Sequence, residues 1–131
     1  MNVVLDSDIL IYFLKGKPEI VDKLTSCAID MLFTTRINYT ELLYGAYNSA
    51  KIEQNLAKVT GLLSAISILE FDEKASQIFA KDKATLKRQG TMIADMDLMI
   101  ASITKAHQFA LVTNNHKHFQ RIEHLSIERW M

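Results

Sequence analysis

One recurrence limits what this chain can fold into. Short aliphatic runs stop abruptly at a polar or acidic residue, and a longer segment with helical spacing follows each stop. Val3-Val4-Leu5 ends at Asp6, Met31 to Thr34 precedes a helical segment, Ile66 to Leu69 ends at Glu70, and Phe109 to Val112 ends at Thr113. Leu125 to Ile127 is a further short run near the end of the chain. Runs that are apolar without alternation suit strands buried on both faces, the usual state of a parallel sheet. The segments between them predict helices over Ile9 to Lys15, Pro18 to Ala28, Asn38 to Asn48, Lys51 to Leu63, Asp72 to Gln89 and Asp95 to His107, with a short helical turn at His116 to Phe119. Ser7 and Asp8 are N-cap candidates for the first helix. Gly16 and Gly90 stand where the first and fifth helices should stop. Pro18 opens the second helix at the position proline tolerates. Strands alternating with helices give an α/β class: a three-layer α/β/α sandwich around a mostly parallel sheet.

The chain has 131 residues, the size of one domain, so residues 1–131 are read as a single unit. Hydrophobic residues make up 49%, enough for one core without a disulfide or metal staple. The single proline and four glycines exclude a collagenous or linker-rich chain. Fifteen basic residues balance fifteen acidic ones, which excludes a strongly basic nucleic-acid coat but leaves room for a local basic patch. Cys27 is the one cysteine; it has no disulfide partner and is read as a small core residue in a reducing, cytoplasmic setting. The first residues lack the basic and long apolar regions of a signal peptide. The apolar run Ile9 to Leu14 is far too short to span a membrane, so no membrane role is expected.

Parallel α/β sheets bind ligands at the carboxyl ends of their strands. The polar residues expected there are Asp6 after the first strand and Thr113-Asn114-Asn115 after the fourth. Glu41 lies early in the helix after the second strand, and Asp95 and Asp97 open the helix before the fourth. No nucleophile triad or glycine-rich phosphate loop is present. His116 and His118 lack the pattern of a zinc site and are read as exposed residues of a short helix. Carboxylates gathered without His or Cys repel one another, and a hard divalent cation such as Mg²⁺ or Mn²⁺ offsets that repulsion. This is the ligand set of metal-assisted phosphodiester hydrolysis.

Each residue also has a plainer role open to it. Asp6 can cap the following helix. Asp8 suits a cap or a support better than a ligand. Glu41 follows Asn38 at the spacing of a capping box, and Asp97 sits where the helix dipole favours an acid. Asp95 points away from Asp97 if both are helical, and suits a cap or a supporting role. Asn114 and Asn115 can simply build a turn. Lys74, Lys81, Lys83, Lys87 and Arg88, with Lys15, Lys17 and Lys51, can either steer RNA or form solvated faces. The joint placement of the acids is the stronger signal.

These residues resemble the motifs of a known family. Val4-Leu5-Asp6-Ser7-Asp8-Ile9-Leu10-Ile11-Tyr12 is similar to the opening of PIN-domain ribonucleases of the VapC toxin type, and Asn38-Tyr39-Thr40-Glu41-Leu42-Leu43-Tyr44-Gly45 to their next helix. Asp97-Leu98-Met99-Ile100-Ala101, then Leu111-Val112-Thr113-Asn114-Asn115 with Phe119, and the tail Leu125 to Trp130 follow in the same order. The resemblance spans the whole chain. It implies a PIN-like sandwich and a Mg²⁺-dependent endoribonuclease, Mn²⁺ substituting. It further implies a homodimer held inactive by a cognate VapB-like antitoxin, with RNA, transfer RNA among it, as the substrate class.

The family's acidic positions fall on Asp6, Glu41 and Asp97, and its fourth, often Asp, on Asn115. Asp8 stands where the family commonly has Asn. Ser7 and Thr113 are candidate hydroxyls for orienting a carboxylate or a water. Two other classes remain. Asn115 in place of an acid would suit a degenerate binding module on the same fold. Asp6-Ser7-Asp8 resembles the start of a haloacid-dehalogenase-type phosphatase, but Leu10 departs from that motif and no convincing lysine motif follows.

Overall fold

The computed structural model describes residues 1–131. The chain runs β1 (Val3–Leu5), α1 (Ser7–Leu14), α2 (Pro18–Ser26), a 3-10 turn at Ile29–Met31, β2 (Leu32–Thr35), α3 (Arg36–Tyr47) and α4 (Ile52–Ala65). It continues through β3 (Ser67–Leu69), α5 (Glu73–Gln89), α6 (Asp95–His107), β4 (Ala110–Val112), α7 (His116–Phe119) and β5 (Ser126–Glu128). The five strands form one sheet in the order β3-β2-β1-β4-β5. Every pairing is parallel, so the expected mostly parallel sheet is parallel throughout.

β1 lies at the centre, with Val3 opposite both Leu32 and Ala110. Side chains alternate across a strand, so the buried residues of β1 serve two cores. Val3 and Leu5 join Ile9, Leu10, Ile20, Leu24, Leu42, Val59 and Leu63 beneath α1 to α4. Val4 joins Leu86, Leu98, Ile100, Ile103, Leu111 and Phe119 beneath α5, α6 and α7. These are the three layers of the expected sandwich. Burying each large aliphatic side chain contributes about 1.5–3 kcal/mol, which is why such short strands hold.

The strand and helix ends shift by a residue or two from the sequence expectation. The informative case is α3. Thr35, not Asn38, is its N-cap: the Thr35 hydroxyl accepts from the Asn38 backbone N–H, and the Asn38 side chain returns to the Thr35 backbone. The capping box therefore pairs Thr35 with Asn38, and Glu41 has no part in it. Likewise Asp6, rather than Ser7 or Asp8, caps α1. α5 is capped by Asp72, expected instead as its first helical residue, and is closed as expected by Gly90 at φ +70°. Cys27 is half-buried against the first core.

The chain leaves β1 toward β2 on one side, and β4 lies on the other. A reversal of this kind opens a crevice beyond the carboxyl ends of the two central strands. Asp6 and Thr113 are the first residues past those ends.

Candidate acidic active site

Asp6 is set by the sheet itself. Its backbone N–H still donates to the Val112 carbonyl at 3.0 Å, as a last rung between β1 and β4. Its side chain then turns into the crevice and is only 7% exposed. Oδ1 accepts from the Ser7 backbone at 2.9 Å and from the Asn38 amide at 2.9 Å. Oδ2 accepts from the Thr113 hydroxyl at 2.7 Å. The capping role and the site role thus fall on the same carboxylate. Burial, and next the charge of Asp8, push the Asp6 carboxyl up to about 6. The bonds from Thr113, Ser7 and Asn38 oppose that rise.

Glu41 enters from the second turn of α3. Its Oε1 accepts from the Ser7 hydroxyl at 2.8 Å, and that hydroxyl accepts from the Asn38 amide at 2.9 Å. One Asn38 amide therefore orients both Asp6 and, through Ser7, Glu41. Burial raises the Glu41 carboxyl above its usual value; Ser7 works against this, and the charges of Asp97 and Asp8 add to it. Those influences place Glu41, Asp8 and Asp97 within one electrostatic neighbourhood.

Asp8 acts as a brace. Its Oδ1 accepts from the Ile9 backbone at 2.7 Å, and its Oδ2 accepts from the Asn114 backbone at 3.0 Å, tying the start of α1 to the loop after β4. Burial raises its carboxyl too. Asn114 contributes its backbone to this contact. The Asn115 backbone donates to the Thr113 hydroxyl at 3.0 Å, and its side-chain nitrogen lies 3.0 Å from His118 Nδ1. Asp97, in the first turn of α6, brings Oδ2 to 3.4 Å from the same Nδ1. Asp95 is elsewhere: it pairs with Lys83 at 2.9 Å with an exposed side chain, and it is neither the cap of α6 nor part of the crevice.

The crevice thus gathers Asp6, Asp8, Glu41, Asp97 and Asn115 from four regions of sequence. No lysine or arginine pairs with any of the four acids; Arg36, Lys83 and Lys105 bridge Glu70, Asp95 and Asp82, and only the His118 ring approaches Asp97. Buried carboxylates without a protein cation call for a bound one. The donors are oxygens, which suits Mg²⁺ or Mn²⁺. No three acidic, His or Cys side chains converge tightly enough to enclose an ion alone. An ion held among these acids would therefore complete its coordination with waters, as Mg²⁺ commonly does.

Two residues of the crevice escaped the sequence reading. From sequence Asn38 is a capping-box residue and the start of the family's helix motif, with no role at the acids, yet it is completely buried and bonds to Asp6, Ser7 and Thr35. A polar residue at the head of a helix otherwise packed on the core was the available signal. His118 is exposed, as expected, but its ring borders both Asp97 and Asn115. Its spacing of three residues after Asn115 on a helical turn was the only hint.

A groove of about 560 Å³ opens beside the site. Ile11, Leu14, Leu42 and Val59 form its apolar wall, Ser7 and Glu41 stand within it, and Lys15 and Lys58 also line it. No helix is long and apolar enough to cross a membrane.

Comparison with known proteins identifies the family of the chain. A family model described as PIN domain matches residues 3–125. The tRNA(fMet)-specific endonuclease VapC of Salmonella typhimurium is 33% identical over 130 residues, covering 99% of this chain and 98% of that protein. Ribonuclease VapC2 of Haemophilus influenzae is 34% identical over 132 residues, with 100% and 99% covered. Among solved structures, DNA-bound VapBC from Salmonella typhimurium superposes with a TM-score of 0.93 at 33% identity, covering 100% of this chain and 99% of that one. With its whole length matched to relatives of this kind, the chain belongs to the PIN domain family, in its VapC branch.

Proposed function

We propose that this protein is a metal-dependent endoribonuclease, the toxin of a type II toxin–antitoxin pair, acting in the cytoplasm. The observation that carries the reading is the gathering of Asp6, Glu41 and Asp97 at the carboxyl edge of the sheet with no lysine or arginine to balance them. Asp6, Glu41, Asp97 and Asn115 would hold Mg²⁺, or Mn²⁺ in its place. When bound, the ion supplies a water of lowered pKa and charge neutralisation at the phosphodiester.

The chain's own residues set up that chemistry. Thr113, Ser7 and Asn38 fix the Asp6 carboxylate, so its oxygens need no reorganisation when charge develops nearby. Ser7 holds Glu41 at one oxygen and leaves the other free to bind or orient a water. Asp97 and Asn115, which both approach His118, would face the RNA phosphate. Asn115 offers a neutral amide there, consistent with a weaker hold on any second ion than a carboxylate would give.

The substrate class is RNA, and transfer RNA is favoured by the relative named for tRNA(fMet) cleavage. The partner is an antitoxin, as in the solved VapBC complexes. The groove beside Glu41 suits it: an apolar segment seated against Ile11, Leu14, Leu42 and Val59 could deliver a basic side chain to the acids. A homodimer is the expected assembly. The purified chain should cleave structured RNA only with Mg²⁺ or Mn²⁺, and Asp97→Asn should abolish cleavage and growth inhibition in a folded protein. Cleavage that persists in excess chelator, or in folded Asp97→Asn, would overturn the proposal.

A further inference from the structure

His118 occupies an unusual position for a side chain beside an oxygen-only cation site. Its Nδ1 lies 3.4 Å from Asp97 Oδ2 and 3.0 Å from the side-chain nitrogen of Asn115. With the Asn115 amide as the donor, Nδ1 is an acceptor, and a carboxylate that is also only an acceptor lies beside it. Two acceptors side by side call for a positive species, a proton on the ring or a metal ion, and a metal ion is the one the acidic crevice also needs. No lysine or arginine reaches Asp97. Half of the His118 side chain is exposed, so an ion can reach it from solvent. Two donors about 2.1 Å from one ion are about 3.0–3.4 Å apart at angles between a right angle and a tetrahedral one, a range that reaches the 3.4 Å between Nδ1 and Asp97 Oδ2.

We propose that His118 Nδ1 joins Asp97 as a direct donor to the ion in the acidic crevice, shifting the site's preference from Mg²⁺ toward Mn²⁺ and Co²⁺. The inference rests on the cation-dependent reading of the crevice above. Its chemical basis is ligand softness: oxygen-only sets suit Mg²⁺, whereas an imidazole suits the later first-row metals. Asn115 then orients the ring, its amide nitrogen directed at the same nitrogen when the ion is absent and its amide oxygen turned to the ion when the ion binds.

The test is calorimetric titration of Mg²⁺, Mn²⁺ and Co²⁺ into the full chain and into His118→Gln and Asp97→Asn. Pulsed electron paramagnetic resonance of the Mn²⁺-loaded proteins accompanies it. Losing a direct donor should cost no less than losing an outer partner of one, so His118→Gln should weaken Mn²⁺ and Co²⁺ by about tenfold or more. Mg²⁺ affinity should stay within about twofold, since that ion gains little from imidazole. Nitrogen coupling to Mn²⁺ should be present in the parent and absent from His118→Gln. Unchanged Mn²⁺ affinity in His118→Gln, or no nitrogen coupling in the parent, overturns the inference and leaves His118 as a hydrogen-bonding neighbour of Asp97. If Asp97→Asn weakens every ion while His118→Gln weakens none, only this inference falls. If neither variant changes the binding of any ion, the reading of the crevice itself falls.

Discussion

Asp6→Asn should make the metal-free protein more stable. Asp6 is 7% exposed, sits beside Asp8 and has no cationic partner, so its ionised form is disfavoured in the fold. The gap between about 6 in the folded chain and an ordinary value near 3.9 corresponds to about 3 kcal/mol at neutral pH. Asparagine keeps an oxygen toward Ser7 and Asn38 but presents an NH₂ group to the Thr113 hydroxyl. That hydroxyl must turn and loses its acceptor, at a cost of about 1 kcal/mol. The net gain is about 2 kcal/mol, or about 8 °C in melting temperature for a chain of this length.

The sign has a pH signature. Unfolded Asp6 loses its proton near pH 3.9 while folded Asp6 keeps it to about 6, so the folded state binds more protons in between. Wild-type stability from this group therefore falls as pH rises through that window, and the advantage of Asp6→Asn is complete above it and vanishes below it. Saturating metal reverses the order, because only the wild type gains about 2.7 kcal/mol at a hundredfold excess over its Kd. Thermal melts in chelator at pH 8 and pH 4, and again with Mn²⁺, measure all three. An Asp6→Asn protein less stable than wild type in chelator at pH 8, or an advantage equal at both pH values, would refute the reasoning.

Asn38→Ala should destabilise the fold by about 2–4 kcal/mol, since it removes the partner of Asp6, Ser7 and Thr35 at once, and should abolish cleavage; chemical denaturation and an RNA cleavage assay check both. Asn115→Asp should tighten Mn²⁺ binding and raise the population of a two-ion state, and an unchanged Kd and stoichiometry by calorimetry would remove Asn115 from the site. Asp95→Asn should leave cleavage intact and shift stability by less than about 1 kcal/mol, because its pair with Lys83 is exposed. Antitoxin and metal should compete if the partner places a basic side chain among the acids; equal partner affinity with and without saturating Mg²⁺ would argue that it binds elsewhere.

The sequence alone determined the class of fold and most of the acids. Val3-Val4-Leu5 before Asp6, and Leu111-Val112 before Thr113, are local signals: a run this short, apolar without alternation and stopped by a polar residue, suits a strand buried on both faces. The order of such runs among helices is enough for a parallel α/β sandwich, and the family motifs then singled out Asp6, Glu41 and Asp97. Tertiary structure decided which acids meet. Asp95 and Asp97 are equally acidic and two residues apart, but one faces Lys83 and solvent while the other faces the crevice. Asn38 and Glu41 stand at capping-box spacing, but Thr35 takes the cap and frees Glu41 for Ser7. Asn38 and His118 reach the acids through Asp6 and Asp97, neighbours 32 and 21 residues away in sequence. Hydrophobic periodicity is written along the chain within a few residues, whereas hydrogen-bond partners and uncompensated charge depend on segments that only the packed sheet brings together.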